Sequence, residues 1–145
     1  MSQIPGTLVS INGIGVLLRG ASGMGKSDTA LMLLRDGHRL VADDAVDVQA
    51  TGGRLIGRSP AEKPGLLCLR GPGLFDVTRR FGQAAIAASA SIDWAVELTR
   101  DRRPATSETD WQSVVIAGIR IPQIIISPDR PVAELIQVVE VAKCD

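Results

Sequence analysis

Apolar and polar positions over Thr7–Ile11 alternate as in a strand, and the apolar run Gly15–Arg19 returns as a second strand. Asn12-Gly13 stands between them as a two-residue turn, so the pair predicts a β-hairpin. The period then changes. From Lys26 to Asp36, Ala30, Leu31, Leu33 and Leu34 recur at helical spacing, and Gly37 follows as a stop. Arg39–Ala42 predicts a short strand ending on Asp43-Asp44, and Val46–Ala50 with Arg54–Arg58 predicts a second hairpin across Thr51-Gly52-Gly53. In Ile92–Leu98 the spacing places Ile92, Trp94, Val96 and Leu98 on one strand face. Gln112–Ala117 and Gln123–Ser127 predict further strands, with Gly118 and Pro122 as turn residues between them. Val132, Leu135, Ile136 and Val139 return to helical spacing with Glu134, Gln137 and Glu140 opposite, which predicts a closing amphipathic helix. Many strands with few helices give an α/β domain around a mixed sheet.

The 145 residues are one domain's worth of chain, and no repeat or linker divides them. Sixteen basic residues balance sixteen acidic ones, so the basic excess of a nucleic-acid binder is missing. Aromatic residues make up 3% with no Tyr, which leaves no stacking platform for single strands. No apolar run is long enough for a bilayer and no export signal opens the chain, so a soluble cytoplasmic protein is expected, with no membrane partner. The single histidine, His38, excludes multi-histidine metal centres. Cys68 and Cys144 are expected as free thiols.

The strongest chemical signal is Gly20-Ala21-Ser22-Gly23-Met24-Gly25-Lys26-Ser27, which fits G-x-x-x-x-G-K-[ST]. Average residue usage would give this pattern in such a chain on the order of once in a hundred. It follows an apolar strand and opens a helix, as a phosphate-binding loop must. Glycines let successive backbone N–H groups point inward, and the helix N-terminus adds partial positive charge. Lys26 is expected on the β- and γ-phosphates of ATP, and the Ser27 hydroxyl on Mg²⁺. Asp43 and Asp44 end the next predicted strand. A carboxylate there can serve the Mg²⁺ shell or take a proton from an attacking nucleophile. The bland alternative for this pair is a solvated acidic turn, and His38 reads as a helix-end histidine without a catalytic role.

Gly20–Ser27 with Asp28-Thr29-Ala30-Leu31, then Gly37–Asp44, resembles the catalytic domain of the HPr kinase/phosphorylase family. Leu66-Leu67-Cys68-Leu69-Arg70-Gly71-Pro72-Gly73 is similar to the family's segment around Arg-Gly-x-Gly, and Pro128-Asp129-Arg130-Pro131 to its Pro-x-Arg-Pro segment. The resemblance implies one P-loop-containing α/β domain over 1–145, with a mixed sheet and few helices of the HPr kinase/PEP carboxykinase-like kind. It corresponds to a form without the family's N-terminal domain. It implies an ATP- and Mg²⁺-dependent serine kinase, with phosphorolysis as the reverse reaction, acting on an HPr-like phosphocarrier protein and assembling as a homo-oligomer, a hexamer in the family. Asp44 matches the family's base in phosphorylation and acid in the reverse direction. Arg103 is matched to a catalytic arginine, with Arg102 as the alternative, and Asp43 is placed in the metal shell beside Ser27. Two positions depart from the family: Pro5 stands where it has a histidine, and Cys68 where it has a glutamate ligand for Mg²⁺. A thiol is a poor ligand for that hard cation. Val132-Ala133-Glu134 also replaces the family's Gly-Arg-Asn. Pro5 and Cys68 favour, as a second reading, a nucleotide-binding regulatory module with little or no phosphoryl transfer, while the change at Val132–Glu134 bears on phosphorolysis. A small-molecule kinase is a third reading, disfavoured because no Arg-rich lid is present.

Overall fold

The computed structural model describes residues 2–62, 64–101 and 111–144. Strand β1 (Ser2–Pro5) precedes the predicted hairpin β2 (Thr7–Ile11) and β3 (Ile14–Gly20), after which helix α1 spans Lys26–Arg35. Next come β4 (Arg39–Ala42) and the hairpin β5 (Ala45–Thr51) and β6 (Arg54–Arg58). A two-stranded ribbon, β7 (Leu66–Leu69) and β8 (Gly73–Asp76), leads into the short helix α2 (Val77–Phe81). The chain closes with β9 (Ala90–Leu98), β10 (Gln112–Ile116), β11 (Ile119–Ile126) and helix α3 (Val132–Cys144). The mixed α/β class and the scarcity of helices agree with the sequence reading. The elements β1, β7, β8 and α2 are additions to it.

Among the described residues nine strands share one curled sheet, and β7–β8 stand apart from it. Strand β9 is where the sheet branches. It runs parallel to β3 from Ile92 to Leu98, while its first two residues pair with β6 and its last four with β11. Strands β2, β3 and β9 are therefore covered on both faces. Val9, Val16, Leu18, Trp94 and Val96 pack toward α1 and α3, with Leu33 and Ile136 from those helices. Leu8, Leu17, Ile92 and Ala95 pack into a second layer with Val46, Val48 and Leu55 from the β5–β6 hairpin. Double burial explains why all five residues of β2 are buried, Thr7 and Ser10 included.

Two local expectations are corrected. Ile92 does not share a face with Trp94, Val96 and Leu98; it lies in the second layer while they lie in the first. The reason is a β-bulge: Gly15 pairs with Ile92, but Val16 pairs with Trp94, so Asp93 is an extra residue that reverses the alternation. Its carboxylate accepts hydrogen bonds from the Gly15 N–H at 2.9 Å and the Ser91 hydroxyl at 2.9 Å. Pro122, expected in a turn, lies inside β11 opposite Ser113. Its missing N–H is tolerated because the ladder to β9 begins one residue later, at Gln123. The turn itself is Ala117-Gly118, both with positive φ.

The bulge also dictates the residue at position 15, where a Cβ would land on the carbonyl oxygen of Ser91. Gly15→Ala must push β3 and β9 apart, and is expected to lower the stability read by urea denaturation by about 2–3 kcal/mol.

Candidate functional site

One end of the sheet carries a cleft of about 410 Å³, lined by Gly20, Ser22, Gly23, Gly25, Lys26 and Ser27 from the loop and helix start. Pro5, Gly6, Thr7, Asp43, Asp44, Cys68, Leu69 and Arg70 line it from the other elements. The glycine-rich segment thus sits as its spacing requires, between β3 and α1. Gly23 and Gly25 adopt φ of 87° and 89°, a left-handed conformation that an L side chain disfavours. Gly25 is the N-cap of α1, and no side chain caps the helix there. The first-turn N–H groups that a capping side chain would take are left facing the cleft end of the loop, where partial positive charge favours an anion. Lys26 is folded back on the loop, its Nζ donating to the carbonyls of Gly20 at 2.6 Å and Ala21 at 3.2 Å. Two loop residues, Ala21 and Met24, do not line the cleft.

The two aspartates occupy different situations. Asp43 is half-buried and accepts from three elements at once: the Thr7 hydroxyl of β2 at 2.8 Å, the Ser27 hydroxyl of α1 at 3.0 Å, and the Cys68 backbone N–H of β7 at 3.0 Å. Asp44 is exposed and carries φ 69°, unusual for a residue with a side chain. The Ala45 N–H donates to the Asp43 carbonyl at 2.8 Å across it, so Asp44 is the apex of a γ-turn, and the Gly6 N–H holds its own carbonyl at 3.1 Å. A strained backbone held on both sides at a cleft is characteristic of sites where a side chain must be presented at a fixed point.

Sequence reasoning assigned no role to Thr7, nor to the backbone of Cys68 or the side chain of Arg70. Arg70 reaches over the loop: its Nη1 would stand 3.2 Å from a Cβ on Gly23. It is exposed and has no ion-pair partner among the described residues. Its membership of the Arg-Gly-x-Gly segment was the available signal. Arg103 and Arg102 lie outside the described residues. Their neighbour Arg100 pairs with Asp129 at 3.3 Å and points Nη1 at the Met24 sulfur, 3.7 Å away.

The arrangement joins a loop suited to anions, a mobile-stemmed ammonium group, a hydroxyl and two carboxylates around one cavity. For a divalent cation, the Ser27 hydroxyl and the Asp43 carboxylate are already within hydrogen-bond distance of each other. Both are hard oxygen donors of the kind that hold Mg²⁺ together with waters and substrate phosphates. No cluster of three or more His, Cys, Asp or Glu ligands occurs among the described residues. No helix among those residues is long and apolar enough to cross a membrane.

Comparison with known proteins converges on one family. A family model described as HPr Serine kinase C-terminal domain matches residues 1–145. The HPr kinase/phosphorylase of Clostridium beijerinckii is 38% identical over 143 residues, spanning 94% of this chain and 47% of that protein. The HPr kinase/phosphorylase of Clostridium perfringens is 40% identical over 144 residues, with 94% and 46% covered. The chain thus spans about half the length of these curated relatives. The solved structure of the Hpr(Ser) kinase/phosphatase from Coxiella burnetii matches with a TM-score of 0.89 and 27% identity, over 99% of this chain and 90% of that one.

The contrast between the aspartates is measurable as stability. Asp43→Ala strands three donors and is expected to lower the unfolding free energy by about 2 kcal/mol in urea titration. Asp44→Gly relieves the positive φ and is expected to raise it by about 0.5–1 kcal/mol.

Proposed function

Because the chain belongs to the HPr serine kinase C-terminal domain family, we propose that it transfers the γ-phosphoryl group of ATP to a serine on an HPr-like phosphocarrier protein. The observation that carries this reading is the meeting, in one cleft, of the Gly20–Ser27 loop with Asp43 and Asp44. The triphosphate lies along the loop, held by backbone N–H groups at the start of α1. Lys26 exchanges the Gly20 and Ala21 carbonyls for phosphate oxygens, a short movement of a flexible stem. Ser27 and Asp43 would hold Mg²⁺, which would supply positive charge to offset that of the triphosphate. Thr7 and the Cys68 N–H keep the Asp43 carboxylate turned toward Ser27.

Asp44 takes the proton from the substrate serine as its Oγ forms a bond to the γ-phosphorus and the bond to the β,γ-bridging oxygen breaks, releasing ADP. The γ-turn presents this carboxylate without fastening it to another side chain. In the reverse direction Asp44 returns the proton to the serine oxygen while inorganic phosphate attacks phosphoserine, giving pyrophosphate. Arg70, over Gly23, is placed to offset negative charge on the transferring group. Arg103, the catalytic arginine by family resemblance, belongs to the same proposal. The resemblance further supports a cytoplasmic protein, acting as a single domain over 1–145 and assembled as a homo-oligomer of the hexameric kind.

One observation favours a second reading, a regulatory module that binds nucleotide but transfers little. Pro5 and Cys68 both line the cleft, where neither can titrate as an imidazole or supply a hard oxygen ligand.

Incubation with labelled ATP, Mg²⁺ and a phosphocarrier protein tests the first reading. Label is expected on the carrier's serine, with Asp44→Asn lowering the rate by about 100-fold or more. ATP binding without transfer at any Mg²⁺ or Mn²⁺ concentration supports the second reading, and a gain of transfer in Cys68→Glu identifies the thiol as the defect.

A further inference from the structure

A second cavity, of about 280 Å³, lies beside the loop. It runs between α1 and the segment that leads into α3, and Met24, Met32, Arg130 and Pro131 are among the residues lining it. It meets the first cavity at Gly25 and Asp28, which line both. The two cavities are therefore neighbours at the start of α1. Their chemistry differs. The first presents Lys26, Arg70 and two further aspartates, whereas the second adds two thioethers and proline rings to Asp28, Arg130 and Glu134.

We infer that this second cavity is the subsite for the purine ring of the nucleotide. The inference rests on the proposed binding of a triphosphate at Gly20–Ser27 and adds where the rest of the molecule goes. A triphosphate laid along the loop with its γ end at Asp44 has its α end near the first turn of α1. The nucleoside then leaves past Asp28, which is exposed at the junction of the two cavities. Asp28 accepts from the ribose hydroxyls there. The volume is below the roughly 300–1,000 Å³ of sites that enclose a whole drug-sized ligand, which suits a site that takes only the base.

The wall residues suit a flat aromatic ring. Met24 faces away from the first cavity, and the Arg100 guanidinium contacts its sulfur. Met32 is 45% exposed, with its sulfur contacted by Arg35 at 3.8 Å. An exposed methionine on a helix is an uncompensated apolar surface, and thioethers make favourable contacts with aromatic rings. The Arg130 side chain is exposed at the rim, where its guanidinium plane can lie over the ring.

Calorimetric titration of the whole chain with MgATP and, separately, with magnesium tripolyphosphate separates the contributions of the two cavities. The wild type is expected to bind ATP about tenfold or more tightly than tripolyphosphate. Met32→Glu removes that preference by placing a carboxylate in the groove, while Met32→Leu, which stays apolar, keeps it. Circular dichroism checks that both variants are folded. Equal affinity of the wild type for the two ligands, or a folded Met32→Glu variant that still prefers ATP, overturns the purine subsite and leaves the phosphate loop standing. Absence of heat with either ligand overturns the nucleotide reading and the subsite with it.

Discussion

The carboxylate of Asp43 is the interaction on which the cleft depends. Three donors from distant parts of the chain converge on it, from β2, α1 and β7. Each element is held in the fold by its own packing, and this group ties them together at the mouth of the cavity. A half-buried carboxylate with several hydrogen bonds is fixed in direction. Its fixed direction sets where Ser27 points, and its bond to the Cys68 N–H sets how close the β7–β8 ribbon comes to the loop. Arg70 follows from the same bond, because it continues directly from the ribbon strand that Asp43 anchors.

This wiring divides labour between neighbouring residues. Asp43 is committed to the scaffold and Asp44 is not. The backbone conformation separates them, since the γ-turn at Asp44 sends two consecutive side chains to different surroundings. Stability and presentation are thereby assigned to different carboxylates. The strain at Asp44 is borne by the Gly6 and Ala45 hydrogen bonds on either side of it. Structures commonly keep such local cost where a side chain must be offered to a ligand rather than packed.

Much of this was legible in the residues. The glycine spacing of Gly20–Gly25, the helix from Lys26 and its stop at Gly37 are local signals, because turn conformation and capping depend on nearest neighbours. The position of Asp43 and Asp44 beside the loop followed from a strand ending there. What was hidden depends on tertiary contact. Adjacent aspartates look alike until their donors are known, and Thr7 gives no sign that it faces residue 43. The ribbon Leu66–Leu69 with Gly73–Asp76 shows no clean alternation, since Leu66 and Leu74 are exposed although apolar. Ile92 was misplaced because a period-two count presumes a regular strand, whereas Asp93 inserts an extra residue.

The branching of the sheet at β9 has a consequence for the order in which the molecule assembles. The hairpin β2–β3 joins neighbours and can close within microseconds, so the strand that carries the loop is available early. Its other flank is not: Gly15 and Asp93 meet across 78 positions, and Gly20 rests against the carbonyl of Leu98. Contacts so remote along the chain carry a loop-closure entropy that slows their formation. During synthesis the loop segment leaves the ribosome long before the strand that buttresses it. The cavity is therefore among the last features to be completed, and a chain halted before residue 98 holds the whole glycine-rich motif without the wall against which it is shaped.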